Sequence, residues 1–504
     1  MSDHLTALDA TFLELEQIDS SAHMHIGGVM VFDPQPGGGS PPLERIRDEF
    51  VARLPQLPRW SQRLSTPHTG GLHWPTWEDD PSFDIAKHVF AVDLPDPRGE
   101  RELLEWAADY YSQRLDRTRP LWEVVISDLA DGRWAMTTKT HHCMVDGVGS
   151  VDIARKILDT EPTGAPRAAE PAAPDEPGDE ERPEPVEGAM GLAREVANAG
   201  LGLARSGLHL VRGALRLGID TATHPRHAAE GLTLARAMVE LLVRDELVRA
   251  PRTSLNRPIG TRRQLAVIEV PLDDLKEVKR SLGGTVNDVV LTAATCGLRQ
   301  LLLQRDEPLP GQGLRAMVPV NIRAAGDALA AGNKITSLFV HLPVTEADPA
   351  ACYAHQMEDV EALKSGTQGI GSTGLIELTG LAPPVLHSFL ARSLYATRLF
   401  NVTITNVPGP QEPLYAFGSR MRTAWPLVPL AAEHALGIAV FSYDGRVFFG
   451  LNADRDSVPD LDVVAGGIEH ALHELLEVAH GNGASGGTAA TDPQTRVSTA
   501  SESR

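Results

Sequence analysis

His141-His142-Cys143-Met144-Val145-Asp146-Gly147 gathers two imidazoles, a carboxylate and a flexible glycine into one short stretch. The rest of the chain can be read outward from it. Upstream, Leu121 to Leu129 reads as a strand, Asp131-Gly132 as a two-residue hairpin turn and Arg133 to Thr140 as the returning strand. Downstream, Gly147 and Gly149 loosen the backbone, and from Ser150 the apolar residues Val151, Ile153, Ala154, Ile157 and Leu158 recur at helical spacing. The motif therefore occupies a strand-to-helix loop, the kind of position where a rigid scaffold commonly presents catalytic groups.

An imidazole titrates near neutrality and can take a proton from a hydroxyl or thiol, provided a partner on its other ring nitrogen fixes the tautomer. One histidine then acts and its neighbours hold it. A pair of ordinary histidines at a strand end explains the dipeptide alone, but explains less well the dipeptide with Asp146 and Gly147 at this spacing. A metal site fits poorly: zinc hydrolases on helices want two histidines one turn apart plus a third ligand, and adjacent histidines on an extended segment point to opposite faces. No metal ligand is assigned. Cys143 reads as a small apolar spacer, since a nucleophilic thiolate needs deliberate activation.

After such a hairpin, the pattern H-H-x-x-x-D-G resembles the signature of the coenzyme A-dependent acyltransferase superfamily. Five further stretches narrow the resemblance to the bacterial wax ester synthase/diacylglycerol acyltransferase branch across nearly the whole chain: Leu8 to Leu13, Pro120-Leu121-Trp122, Val286 to Val290, Pro319 to Arg323 and Asn406 to Pro410. The resemblance implies an α/β (α+β) fold of two chloramphenicol-acetyltransferase-like lobes, mixed sheets flanked by helices, with an active-site tunnel between them. It also implies that His142 is the general base, that His141 turns inward to support the loop, that Asp146 holds the local geometry and that Gly147 permits the close turn.

Length and composition agree with two lobes. A chain of 504 residues is too long for one core, and 42% hydrophobic with 22% charged residues is ordinary for a globular protein. The net charge of -21 argues against a general nucleic-acid binder. Cys143, Cys296 and Cys352 make a poor disulfide framework, which suits a reducing cytoplasm. The N-terminal residues carry Asp3, Asp9, Glu14 and Glu16 with no basic segment leading into an apolar run, so no secretory signal is expected. The most apolar stretches, 374–400 and 424–441, are interrupted by prolines and glutamates, so lipid contact is expected to be peripheral; the resemblance implies that it lies at the inner membrane or lipid inclusions.

Along the chain, residues 1–160 read as the first lobe and 161–187, rich in Pro, Ala, Asp and Glu, as a linker without core-forming residues. Residues 188–254 read as a helical connector. Within it, Arg194, Arg205, Arg212 and Arg216 share one face of a helix over 191–219, which suits either a lipid surface or packing on the protein itself. Residues 255–480 read as the second lobe, closed by the hairpin Leu436 to Tyr443 and Arg446 to Ala453 around Asp444-Gly445 and by a helix over 459–478; residues 481–504 read as a disordered tail.

Three second-lobe residues are candidate site supports. A helix over 285–303 carries Asn287 and Asp288 in its first turn, where a polar side chain can cap the helix or reach outward. Capping accounts for Asp288. The family repeats the Asn-Asp pair at the face of the tunnel, which makes Asn287 a candidate oxyanion donor alongside backbone amides. The resemblance likewise suggests Arg323, at the end of a strand, as a salt-bridge partner of Asp146.

The activity the resemblance implies is transfer of a long-chain acyl group from acyl-coenzyme A, a co-substrate rather than a permanently bound cofactor, to diacylglycerol, giving triacylglycerol, or to a long-chain fatty alcohol, giving a wax ester. Residues binding the coenzyme A phosphates are unassigned, with the arginines near 257–263 as candidates. Two other readings stand beside this one: a related acyltransferase for a polyketide or sugar hydroxyl, and a non-catalytic protein of lipid inclusions. The oligomeric state is open.

Overall fold

Strand β1 (His25–Phe32) is the axis of the first lobe, because it pairs on both sides. The computed structural model describes residues 5, 7–65, 75–145, 147–162, 250–321, 335–365 and 399–486. After β1 the chain forms a small antiparallel pair, β2 (Gln62–Leu64) and β3 (Trp77–Asp79). One neighbour of β1 is the hairpin that leads into the motif, β5 (Trp122–Asp128) and β6 (Trp134–His141), with β4 (Val89–Ala91) parallel to β5 at the edge. The turn differs from the expected two-residue type. Leu129 N–H donates to Arg133 O, which closes a three-residue loop of Ala130, Asp131 and Gly132, and the glycine supplies the left-handed conformation, φ +85°, that such a loop requires.

The other neighbour of β1 comes from far along the chain. Strand β12 (Ser419–Leu427) pairs antiparallel with β1, and β11 (Tyr415–Ala416) lies outside it, giving the order β11-β12-β1-β6-β5-β4. The expected division at residues 255–480 thus sends two strands back into the first sheet.

The second sheet, β7-β14-β13-β10-β8-β9, comprises Arg263–Pro271, Arg446–Asp454, Leu436–Tyr443, Val402–Pro408, Leu314–Asn321 and Ile335–Leu342 in that spatial order. Strand β10 runs parallel to β13 and β8, and the other pairings are antiparallel, so the sheet is mixed. The hairpin β13–β14 turns in two residues, with Asp444 and Gly445 both at positive φ. Strand β14 is buried almost throughout, and its side chains alternate between two cores. Phe448 joins the first-lobe cluster, while Val447, Phe449, Leu451 and Ala453 join the second. Fully burying such a side chain contributes about 1.5–3 kcal/mol. The sheets approach closely at Gly450, where an added Cβ would lie 1.7 Å from Pro426 O.

Helices pack beside both sheets. Of those labelled here, α1 (Ala7–Ile18), α2 (Leu43–Arg53), α3 (Glu100–Tyr111) and α4 (Gly147–Ile157) belong to the N-terminal part. In the second lobe α5 (Leu272–Leu282) buries Leu272, Leu275 and Val278 at helical spacing. α6 (Val286–Gln304) is apolar around most of its circumference and correspondingly deep. α7 (Pro349–Ser365) follows β9, and α8 (Leu461–Gly486) closes the chain. α8 runs past the expected end at 478 into the stretch read as a tail, because extending a packed helix costs far less than nucleating one even through Gly and Ser. Residues 487–504, most of the linker 161–187 and the connector up to 249 lie outside the described residues.

Candidate active site

Register places the motif's first histidine. In the β1–β6 ladder His25 lies opposite His141, so both imidazoles project from one face of the sheet, ring centroids 6.0 Å apart. Both meet Glu16 of α1. His25 Nε2 is 3.5 Å from Glu16 Oε1, and His141 Nε2 is 3.5 Å from Oε2. The same Oε2 accepts from Arg117 Nε at 3.0 Å and pairs with Arg114 Nη2 at 3.0 Å. All three residues, Glu16, His25 and His141, are buried.

Burial alone would raise the Glu16 carboxyl, but the facing His141 and His25 imidazoles and Arg117 hold it far below the usual carboxylate range. Burial pushes His25 well below its ordinary value and His141 below its own, so both rings are neutral. The tautomer of His141 follows from its neighbour. Cys143 N–H donates to His141 Nδ1 at 3.1 Å, which leaves the proton on Nε2, facing Glu16. His141 has no exposed surface and is held between these two contacts. Cys143 is buried too, and burial drives its thiol well above the ordinary range.

His142, one residue on, lies beyond the ladder with its side chain partly exposed. Its N–H donates to Met24 O at 2.8 Å, and its ring stacks on Phe12, centroids 3.9 Å apart and 16° from parallel. Met24 belongs to the second-lobe core and Phe12 packs against it. The His142 ring therefore sits where the end of the first sheet meets the second core, while His141 is sealed inside.

Lys139 anchors the segment that supplies the two arginines. Buried on the same face as His141, its ammonium donates to Tyr110 O and Gln113 O, both at 3.1 Å, and lies 3.7 Å from the Tyr110 ring centroid. Burial pushes Lys139 down to about 8. This holds the end of α3 in place just before Arg114 and Arg117.

In the second lobe, Thr285 caps α6 and exchanges bonds with Asp288, whose Oδ2 accepts from Thr285 N at 2.8 Å and Oγ1 at 2.7 Å. That carboxylate is committed to the helix terminus. Asn287, partly exposed, accepts from Asn406 Nδ2 of β10 at 3.3 Å through Oδ1, so its amide nitrogen is turned away from Asn406. The arginines considered for coenzyme A differ among themselves. Arg263 is buried, with its guanidinium donating to Gly260 O at 2.7 Å and to Ser21 O across the lobes; Arg262 pairs with Asp456 at the surface, and Arg257 is exposed. Arg263 is thus a lobe-to-lobe tie rather than a free phosphate ligand.

Asp146 and Arg323 lie outside the described residues, as do Arg194, Arg205, Arg212 and Arg216. Gly147 opens α4, so the helix begins three residues before the expected Ser150. Glu16 escaped the sequence reading, because an acid on an amphipathic N-terminal helix looks like part of a solvated face. The faint signal for it is the pair Arg114 and Arg117 just beyond α3.

The wax ester synthase/diacylglycerol acyltransferase catalytic domain matches residues 5–290, and the C-terminal domain of the same family matches residues 331–476. The probable diacylglycerol O-acyltransferases tgs1 and tgs2 of Mycobacterium tuberculosis are 30% and 33% identical, over 95% and 93% of this chain and 96% and 97% of theirs. The wax ester synthase/diacylglycerol acyltransferase of Marinobacter aquaeolei VT8 superposes with a TM-score of 0.62 at 27% identity, covering 95% of this chain and all of that one. The starter condensation domain of rhizomide synthetase RzmA shares the fold at a TM-score of 0.57 and 14% identity, over 95% of this chain and 94% of that one. By family match, by relatives along its length and by its two-lobed fold, the chain belongs to the wax ester synthase/diacylglycerol acyltransferase family.

Proposed function

We propose that the protein is an acyl-coenzyme A-dependent diacylglycerol O-acyltransferase that makes triacylglycerol, with His142 as general base. The observation that carries the reading is the placement of the His142 ring at the seam between the first sheet and the second-lobe core, while its neighbour His141 is locked by Cys143 and Glu16. In the reaction, His142 takes the proton of the acceptor hydroxyl as that oxygen bonds to the thioester carbonyl carbon. The tetrahedral intermediate then collapses, the C–S bond breaks, and the proton passes from His142 to the coenzyme A sulfur. No covalent acyl-enzyme is needed. Such a base contributes on the order of 10²–10⁴-fold to rate. Asn287, its amide turned by Asn406, is the side chain proposed to donate to the oxyanion. Asp146 and Gly147 shape the loop, and Arg323 pairs with Asp146, in the roles that family resemblance suggests.

Acyl-coenzyme A is a co-substrate that enters and leaves at each turnover. Its acyl partner is a water-insoluble diacylglycerol or long-chain alcohol, so a peripheral lipid surface, at the inner membrane or at lipid inclusions in the cytoplasm, is part of the proposal. No helix among the described residues is long and apolar enough to cross a membrane. Wax ester synthesis is the second reading, favoured by the family description, which names both reactions. The test is release of free coenzyme A from palmitoyl-coenzyme A with a diacylglycerol or with hexadecanol as acceptor. Release that depends on diacylglycerol supports the first reading, release with hexadecanol supports the second, and release with neither overturns both.

A further inference from the structure

The second lobe carries a group of side chains that the acyl-transfer reading does not use. His341 lies near the end of the edge strand β9, and His355 and Asp359 lie one turn apart on α7, which packs beside it. One donor atom from each of the three falls within 4.8 Å of the other two. Asp359 Oδ2 is 2.6 Å from His341 Nδ1 and 3.7 Å from His355 Nε2. One carboxylate oxygen thus faces two imidazole nitrogens.

Both rings are oriented for this from behind. His355 Nδ1 is 3.4 Å from Glu346 Oε1, so in the neutral ring that nitrogen carries the proton toward the carboxylate and the lone pair on Nε2 faces Asp359. A lone pair turned toward a carboxylate is a repulsive arrangement unless a proton or a cation lies between them. His341 offers Nδ1 alone, because its Nε2 edge is pressed against the main chain at Gly313, where an added Cβ would come within 2.2 Å of it. A histidine whose second nitrogen donates to a carboxylate, while its first faces a cluster of donors, has the outer-shell arrangement typical of metal-bound imidazole.

We propose that His341, His355 and Asp359 bind a divalent transition-metal cation of the zinc class, with Glu346 as the outer partner of His355. Two imidazole nitrogens and one carboxylate oxygen are donors suited to Zn²⁺, and Co²⁺ substitutes for it as a probe. Tetrahedral zinc holds its donors roughly 3.4 Å apart, so the cation displaces the proton shared by His341 and Asp359 and draws His355 inward. The three side chains are between 31% and 40% exposed, which leaves the remaining coordination position to water. The bound cation clips the edge strand to α7. In the β8–β9 ladder His341 pairs with Arg315, at the opposite end from the pair Asn321 and Ile335.

The test uses the full chain, stripped with a chelator and titrated with Zn²⁺ by calorimetry and with Co²⁺ by visible absorbance. Wild type is expected to bind one equivalent with a raised unfolding temperature. His355→Gln and Asp359→Asn are expected to lose that equivalent while keeping the native circular dichroism spectrum and acyl transfer. Glu346→Gln, which leaves all three ligands in place, is expected to bind about 10–100-fold more weakly. His470→Gln, at an exposed histidine elsewhere, should bind as wild type does. Absence of binding by wild type, or equal binding by wild type and the ligand variants, overturns the proposal and leaves a hydrogen-bonded His-Asp-His trio.

Discussion

Glu16 Oε2 and His141 Nε2 face each other at 3.5 Å with both side chains buried, and two partly exposed arginines pair with the same carboxylate oxygen. Removing the charge at Glu16 leaves Arg114 and Arg117 without their buried counter-charge. Glu16→Gln is expected to cost about 3 kcal/mol, the low end for breaking a buried pair because both arginines are partly exposed. Urea denaturation measures it, and a variant as stable as wild type would sink the idea that this cluster organises the loop.

Stability against pH carries a second signature. His25, His141, His23 and His434 are all held below their ordinary value by burial, His434 at about 4. Once unfolded, each takes up a proton near 6.5, so below that pH the unfolded chain binds more protons and stability falls as pH falls, by about 1.4 kcal/mol per pH unit for each proton. For His434 this window closes near 4. Glu16 acts with the same sign at lower pH, since its folded value is depressed and its contribution is lost as pH drops below 4.5. The urea midpoint should fall steadily from pH 7 to pH 5, and His434→Gln should flatten the slope by about one proton. A flat profile would contradict neutral buried histidines.

Phe12 and His142 form the contact that orients the ring proposed as general base. Phe12→Ala removes a stack of this kind, worth about 0.5–1.5 kcal/mol, and is expected to lower kcat by roughly 3–10-fold with little change in KM for acyl-coenzyme A. A rise in KM alone would place Phe12 in substrate binding instead.

These predictions rest on parts of the molecule that were unequally legible in the sequence. The two strands before the motif and the Asp444-Gly445 turn are local, so residue pattern and turn chemistry reveal them, although the loop before the motif holds three residues rather than two. The return of β12 to pair with β1 joins residues nearly 400 positions apart, such as Val29 and Trp425, and no local periodicity encodes it. The same reason hid Glu16, whose burial depends on strands β1 and β6 and on arginines beyond α3. The His341, His355 and Asp359 group likewise joins a strand to a helix that the sequence reading did not pick out.

Asn287 and Asn406 supply a further separation of roles. If the Asn287 amide donates to the oxyanion, Asn287→Ala costs about 10²–10³-fold in kcat, while Asn406→Ala, which acts through Asn287, costs less. A double-mutant cycle should show the two effects to be non-additive. Thr285→Ala, which removes the cap of α6, should instead cost about 1 kcal/mol of stability with kcat unchanged. Additive losses at the two asparagines would separate Asn406 from the reaction.

The most direct test is turnover of a folded His142→Ala protein. With palmitoyl-coenzyme A and a diacylglycerol, release of free coenzyme A is expected to fall by about 10²–10⁴-fold, with the circular dichroism spectrum and urea midpoint close to those of wild type. A folded His142→Ala protein that releases coenzyme A at a near-normal rate would contradict the account.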